Sequence, residues 1–168
     1  MPDPITNPAT PEAYFGKEAV TAALADHAAI QGLAALITDA KWDRNELTLT
    51  VAPDTIVAAC EAAKAAGYNF LEDVTAVDWF PTEPRFQISY SILSLSLKQR
   101  IRLVARLNEG QSIASITGVW PAANFYEREI FDLFGVPFTG HPRLTRIMMP
   151  DNWEGHPLRK DYPVEGYR

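Results

Sequence analysis

With 168 residues, of which 47% are hydrophobic, 21% charged and 11% aromatic, the chain has the composition of one globular domain. A net charge of −6 argues against general affinity for nucleic acid or anionic lipid. No apolar run reaches the roughly 18 residues of a membrane span, and "MPDPITNPATPEAY" lacks the basic-then-apolar layout of a signal peptide, so a cytoplasmic protein without a membrane span of its own is predicted.

Residues 1–11 hold four prolines and almost no apolar side chain, which predicts a mobile lead-in. From Pro11 to Ile30 the spacing of Val20, Leu24, His27 and Ala28 predicts one amphipathic helix that stops near Gln31-Gly32. "LAALI" and "ELTLTV" then read as a hairpin with "DAKWDRN" as its turn. Pro53 suits the first position of a second helix, Asp54 its positive end and Gly67 its C-terminal cap. "NFLEDVTAVDWF" is rich in branched and aromatic residues, as strands are. "RFQISYSIL" places Phe86, Ile88, Tyr90 and Ile92 on one face, and "QRIRLVARL" turns Ile101, Leu103, Ala105 and Leu107 inward, leaving Arg100, Arg102 and Arg106 as a row on the other side. That row is either a solvated face or a seat for an acidic partner. Pro121 and Gly135 bracket a further helix over "WPAANFYEREIFDLFG". The expected fold class is therefore α+β: two layers, a mostly antiparallel sheet of about five strands with helices on one face, spanning residues 12–134, followed by an extended irregular arm over 135–168.

Familiar chemistry is hard to place on this frame. Cys60 is the only cysteine and lies in an alanine-rich helical pattern, so no intramolecular disulfide can form. A self-contained iron–sulfur cluster or structural zinc site, each wanting about four ligands, is likewise excluded. Neither GxGxxG nor GxxxxGK[ST] occurs, and Gly16-Lys17 stands alone; there is no Gly-x-Ser-x-Gly elbow, and the serines of "SYSILSLS" have the period of a polar strand face. His27 belongs to a helix. His141, Asp151 and His156 could bind a metal in a stand-alone hydrolase, although their spacing matches no zinc pattern. On a helical wheel Ala122, Tyr126, Glu129 and Leu133 share a stripe, with Glu127, Arg128 and Asp132 elsewhere, so Glu129 is expected to face apolar surroundings. There it needs a cation, for which Arg143, Arg146 and Arg159 are candidates, or it stays protonated; a general acid built from Glu127 and Glu129 is the functional alternative.

The segment "EREIFDLFGVPFTGHPRLTRIMMPDNWEGHPLRKDYP", residues 127–163, resembles the C-terminal signature of the thirty-kilodalton, C-type subunit of proton-pumping NADH:quinone oxidoreductase, respiratory complex I. Glu127-Arg128-Glu129, Asp132, Phe134-Gly135, Gly140-His141-Pro142, Arg146-Ile147 and the run Gly155 to Pro163 all fall at family spacing, whereas Thr145 stands where the family commonly has a basic residue or proline. The resemblance implies a cofactor-free subunit without catalytic residues of its own, peripheral on the cytoplasmic side of the bacterial inner membrane. It would dock on the larger D-type subunit, near the iron–sulfur B-type subunit, with Glu127, Arg128, Glu129, Asp132, His141, Arg143, Arg146 and Asp151 at that interface together with the strip from Trp153 to Tyr162. FMN and the iron–sulfur clusters would then belong to partner subunits. Related subunits occur in quinone- and ferredoxin-linked dehydrogenases and in membrane hydrogenases. Within "WEGHPLRKDYP", Trp153, Leu158 and Tyr162 read as apolar anchors between His156, Arg159, Lys160 and Asp161, a strip expected to have no stable shape until it lies in a partner's groove.

Overall fold

A computed structural model describes residues 13–165, so the lead-in expected over residues 1–11 lies outside the described residues. Eight strands and four α-helices follow in the order β1 (Tyr14–Phe15), α1 (Lys17–Ala23), α2 (Ala28–Leu33), β2 (Ile37–Asp43), β3 (Glu46–Val51), α3 (Ile56–Ala65), β4 (Phe70–Asp78), β5 (Phe86–Ser94), β6 (Gln99–Leu107), β7 (Ile113–Ala114), α4 (Ala123–Phe134) and β8 (Phe138–Thr139). A one-turn 3-10 helix over Pro53–Thr55 leads into α3.

The fold class is α+β, as expected, but the main sheet has six strands, ordered β1-β2-β3-β6-β5-β4. All its pairs are antiparallel except β3 with β6. The sixth strand comes from the stretch expected to be a single long helix. Tyr14 and Phe15 pair with Trp42 and Lys41, and the helical remainder breaks at His27, whose side chain accepts a hydrogen bond from the Ala29 amide and so starts α2 afresh. The first hairpin strand also lies later than expected. Arg44 and Asn45 both have positive φ, the mark of a two-residue primed turn, so Asp39 to Asp43 are strand rather than loop.

One face of the sheet is the core. Leu47, Leu49 and Val51 of β3, Ile88, Tyr90 and Ile92 of β5, and Ile101, Leu103, Ala105 and Leu107 of β6 are buried together. Ile56, Ala59, Cys60 and Ala63, at helical spacing on α3, pack into the same cluster. Cys60 is thus a small buried apolar residue, as its sequence context suggested. On the opposite face the arginine row meets acids of its own chain: Arg100 to Glu72 at 2.8 Å and Arg102 to Glu46 at 3.2 Å, with Arg106 over the Trp79 ring. Exposed pairs of this kind contribute at most about 1 kcal/mol each.

After α4 the chain adds β8, which pairs in parallel with β7. The irregular arm therefore begins after Thr139. No helix among the described residues is long and apolar enough to cross a membrane.

Candidate functional site

The C-terminal end of α4 presents carbonyls that no helical turn can satisfy, and the arm supplies their donors. Leu158 N–H donates to the Leu133 carbonyl at 3.0 Å, and His156 Nδ1 to the Asp132 carbonyl at 2.9 Å. Gly135 ends the helix at φ +75°, and a Cβ there would lie 2.5 Å from the His156 ring. Gly135→Ala is accordingly expected to lose about 1–3 kcal/mol, from left-handed strain and displacement of the imidazole together. Urea unfolding of the full chain checks this; a loss below about 0.5 kcal/mol would show that the arm yields freely.

Two buried charges clamp the arm to the body, one a carboxylate and one a guanidinium. The first is Asp132, wholly buried on α4. Its Oδ2 accepts from the amides of Ile147, Met148 and Met149 at 3.0, 2.8 and 2.9 Å, and its Oδ1 accepts from Arg146 Nη1 at 2.6 Å. Burial opposes its ionisation, but four donors outweigh burial and hold it below the usual carboxylate range. Arg146 Nη2 then donates to the carbonyls of Trp153 and Gly155, and Arg128 donates to those of Thr145 and Arg146. Asp132, with Arg146 and Arg128, thereby ties down the run from 145 to 155.

The second clamp is the buried Arg85 at the start of β5, 1% exposed. It meets Asp78 with Nε at 3.0 Å and Nη2 at 2.9 Å. Its outer edge reaches Asp161 of the arm with Nη2 at 2.6 Å and Nη1 at 3.1 Å, and Glu109 at 3.0 Å. Phe80 and Phe86 flank the guanidinium with ring centroids 4.9 and 5.0 Å away. Asp78 also accepts from the Lys160 amide at 2.8 Å, and Arg159 bonds Glu109 and lies over Phe86. Although burial opposes its charge, the hydrogen bonds from Arg85 and two amides bring the Asp78 carboxyl down to about 2.

Glu127 faces the core beside these clamps, wholly buried, while Glu129 is exposed. That reverses the expectation from the helical wheel. The inward stripe of α4 is Ala123, Glu127, Ile130 with Asp132 and Leu133 beside it, and its two carboxylates find partners in irregular chain that no wheel includes. Arg146 and Arg159 pair with Asp132 and Glu109 rather than with Glu129, and Arg143 uses its backbone amide, donating to His141. His141 contacts the Asn124 carbonyl near the start of α4 and His156 its far end. Among the described residues no three His, Cys, Asp or Glu side chains are grouped as a metal site, so the hydrolase alternative built on His141, Asp151 and His156 draws no support from the geometry. The arm is hydrogen-bonded to its own body through Asp132, Arg85 and Asp78, contacts that the expected partner's groove did not include. Sequence reasoning missed Arg85 and Asp78 entirely. The only available signal was an arginine placed just before an alternating strand, where it cannot be told from a solvated charge.

Fold and clamps together define a class: an α+β domain built on one six-stranded sheet with a small β7–β8 pair beside it, strapped by its own C-terminal arm. Residues 49–168 match the family of the 30 kDa subunit of respiratory-chain NADH dehydrogenase. The chain belongs to that family. It is 48% identical over 135 residues to the C-type subunit of the NADH-quinone oxidoreductase of Geotalea uraniireducens, covering 79% of this chain and 82% of the relative, and 47% identical over 136 residues to that of Geobacter sulfurreducens, covering 79% and 84%. Among solved structures it resembles a trypsin-resistant fragment of Nqo5, with TM-score 0.56 and 31% identity over 59% of this chain and 83% of that one. It also resembles a chain of an archaeal membrane-bound sulfane sulfur reductase, with TM-score 0.73 and 25% identity over 83% and 86%.

Proposed function

We propose that the chain is the C-type subunit of an NADH:quinone oxidoreductase of the complex I type, a structural piece without a cofactor of its own. In this reading it docks on the D-type subunit, next to the B-type one, peripheral on the cytoplasmic side of the inner membrane, and holds the electron-transfer and quinone-reducing parts in fixed geometry; FMN and iron–sulfur clusters reside in partner subunits. One observation carries it. Arg146, Arg159 and Asp161 of the arm bond to their own body, while Met148 and Leu158 are 62% and 52% exposed and Trp153 and Ile147 lie partly open beside them. A strap pinned at both ends that turns large apolar side chains outward is a rigid docking surface rather than a loose tail. The names borne by the curated relatives supply the assembly. The likeness to a sulfane sulfur reductase chain favours a second form of the same role, the equivalent subunit of a related quinone- or ferredoxin-linked dehydrogenase or membrane hydrogenase.

Met148→Asp with Leu158→Asp tests this. Neither side chain helps to clamp the arm, so the purified variant is expected to keep its stability within about 0.5 kcal/mol. Its recovery in the membrane complex, read as co-purification with the D-type subunit, is expected to fall roughly tenfold or more, the scale of losing one central contact. Wild-type recovery would refute the docking surface. Full assembly with altered quinone kinetics would point instead to a direct role at the quinone pocket.

A further inference from the structure

The buried carboxylate that neither clamp uses, Glu127, is surrounded by groups from four other segments. Its Oε1 accepts from the Ile116 amide at 2.7 Å and its Oε2 lies 2.6 Å from Ser115 Oγ, both just after β7. His141 Nε2, following β8, is 4.0 Å from Oε2, with both side chains fully buried. Tyr90 of β5 and Cys60 of α3 are close enough to feel the Glu127 charge, and the Tyr90 hydroxyl is buried without a hydrogen-bond partner among the described residues. The charged neighbours on its own helix point away: Arg128 and Asp132 bind the arm, and Glu129 faces solvent. Nearby Lys64 donates to the Val119 carbonyl.

His141 does not supply the missing cation. Its Nδ1 accepts from the Arg143 amide at 3.0 Å, so that nitrogen carries no proton, and Nε2 donates to the Asn124 carbonyl at 3.2 Å. A second proton on the ring would set two N–H groups against each other at Arg143. Among the described residues no lysine or arginine lies within ion-pair distance of Glu127, the nearest ionisable ring being His141 at 4.0 Å, and burial favours its protonated form.

Ser115 Oγ lies 2.8 Å from Thr117 Oγ1, and Thr117 is half-buried and reachable by water. We propose that Glu127 is a proton-binding site inside the folded core, served from the surface by the hydroxyls of Thr117 and Ser115. In the ionised state Thr117 donates to Ser115 and Ser115 to Glu127. When a proton from water bonds to Thr117 Oγ1, that oxygen's own proton passes to Ser115 Oγ, and the proton Ser115 held passes to Glu127 Oε2. Each hydroxyl again carries one proton, the carboxylate has become an acid, and every hydrogen bond in the row has reversed. No heavy atom has to move. The joint between α4 and the segment after β7 therefore survives in both protonation states. This site belongs to the chain itself and does not depend on its assembly.

Infrared titration of the purified full chain tests the proposal. Asp78, Asp132 and Asp161 are all held low by their donors. A protonated-carboxyl band that persists well above the roughly 4.3 at which an exposed glutamate ionises is therefore assigned to Glu127. That band is expected in the wild type and lost in Glu127→Gln, while Thr117→Val should keep it and slow its response to a pH jump. Should Glu127→Gln fold poorly, Ser115→Ala serves instead: removing a donor to the ionised form should move the midpoint of the band further up. A wild-type band that vanishes together with the exposed glutamates, or a midpoint unmoved in Ser115→Ala, overturns the site. An unchanged response in Thr117→Val overturns the relay.

Discussion

Arg85→Met is expected to lower folding stability by about 3–5 kcal/mol, the range for removing one partner of a buried ion pair. Methionine fills much of the same volume between Phe80 and Phe86 and keeps a favourable sulfur–ring contact, so lost packing is the smaller part. The larger part is Asp78, 2% exposed, whose charge would remain buried with only two amides as donors. Glu109 and Asp161 are 53% and 43% exposed and can turn to water, so they add little. The double variant Arg85→Met/Asp78→Asn should consequently recover much of the loss, a coupling that a double-mutant cycle reads directly. The effect has a defined pH dependence. Asp78 titrates at about 2 against a usual 3.8, so its contribution is complete above pH 3.8 and is lost as pH falls through about 2. In Arg85→Met the same carboxyl is pushed up by burial, so acid relieves the variant while it weakens the wild type, and the difference should shrink on going from neutral pH towards 3. Amides of residues 155–162 should lose exchange protection in the variant, because Asp161 and the Lys160 amide lose the partners that hold the arm's end. A loss under about 1 kcal/mol at neutral pH would mean that the arm is held elsewhere.

How much of this was legible in the sequence follows from whether a contact is periodic. The alternation over 86–94 and 99–107 gave both faces of β5 and β6, including the outward arginines, because a strand's period carries that information locally. Pro53 and Gly135 marked a helix start and a helix end for equally local reasons. The parallel pairing of β3 with β6 was not legible, since it joins residues some fifty positions apart through α3 and a hairpin. Glu127, Asp132 and Arg85 were misread or missed on the same ground. Each is an ionisable residue whose burial depends on hydrogen-bond partners in irregular chain, 11 to 76 residues away. A helical wheel can rank side chains by polarity, but it cannot include a loop that folds back to satisfy them. For the arm, the apolar anchors and the charges were read as one strip facing a partner, whereas Arg146 and Asp161 bond to the domain itself and Met148 and Leu158 face outward.

Asp132→Asn isolates the other clamp. The substitution preserves volume, but an amide has a single acceptor oxygen where the carboxylate uses both oxygens for four donors. If the amide oxygen takes the place of Oδ2 and keeps the three backbone N–H groups, its NH2 group faces the Arg146 guanidinium, donor against donor at a position now held at 2.6 Å. If it turns the other way, three amides are orphaned. Either arrangement leaves buried or half-buried donors unmet and removes the charge that Arg146 balances, so a loss of about 3–4 kcal/mol is expected. The loss should be local before it is global. Hydrogen exchange of the amides at 147–149 should accelerate by at least tenfold, since they lose a charged acceptor worth about 1.5–3 kcal/mol, while protection in β5 and β6 holds. The pH sense follows from the depressed titration of Asp132: its contribution is present above the usual carboxylate range and disappears as pH falls through its lowered value, so wild type and variant should converge only in strong acid. Because the carbonyls of Trp153 and Gly155 are reached through Arg146, the variant should also free the outward side chains of Met148 and Trp153 from their fixed positions. Recovery in the membrane complex should then fall even though neither of those residues has changed. Normal assembly by a chain whose 147–149 amides exchange freely would show that the partner, and not Asp132, shapes the arm.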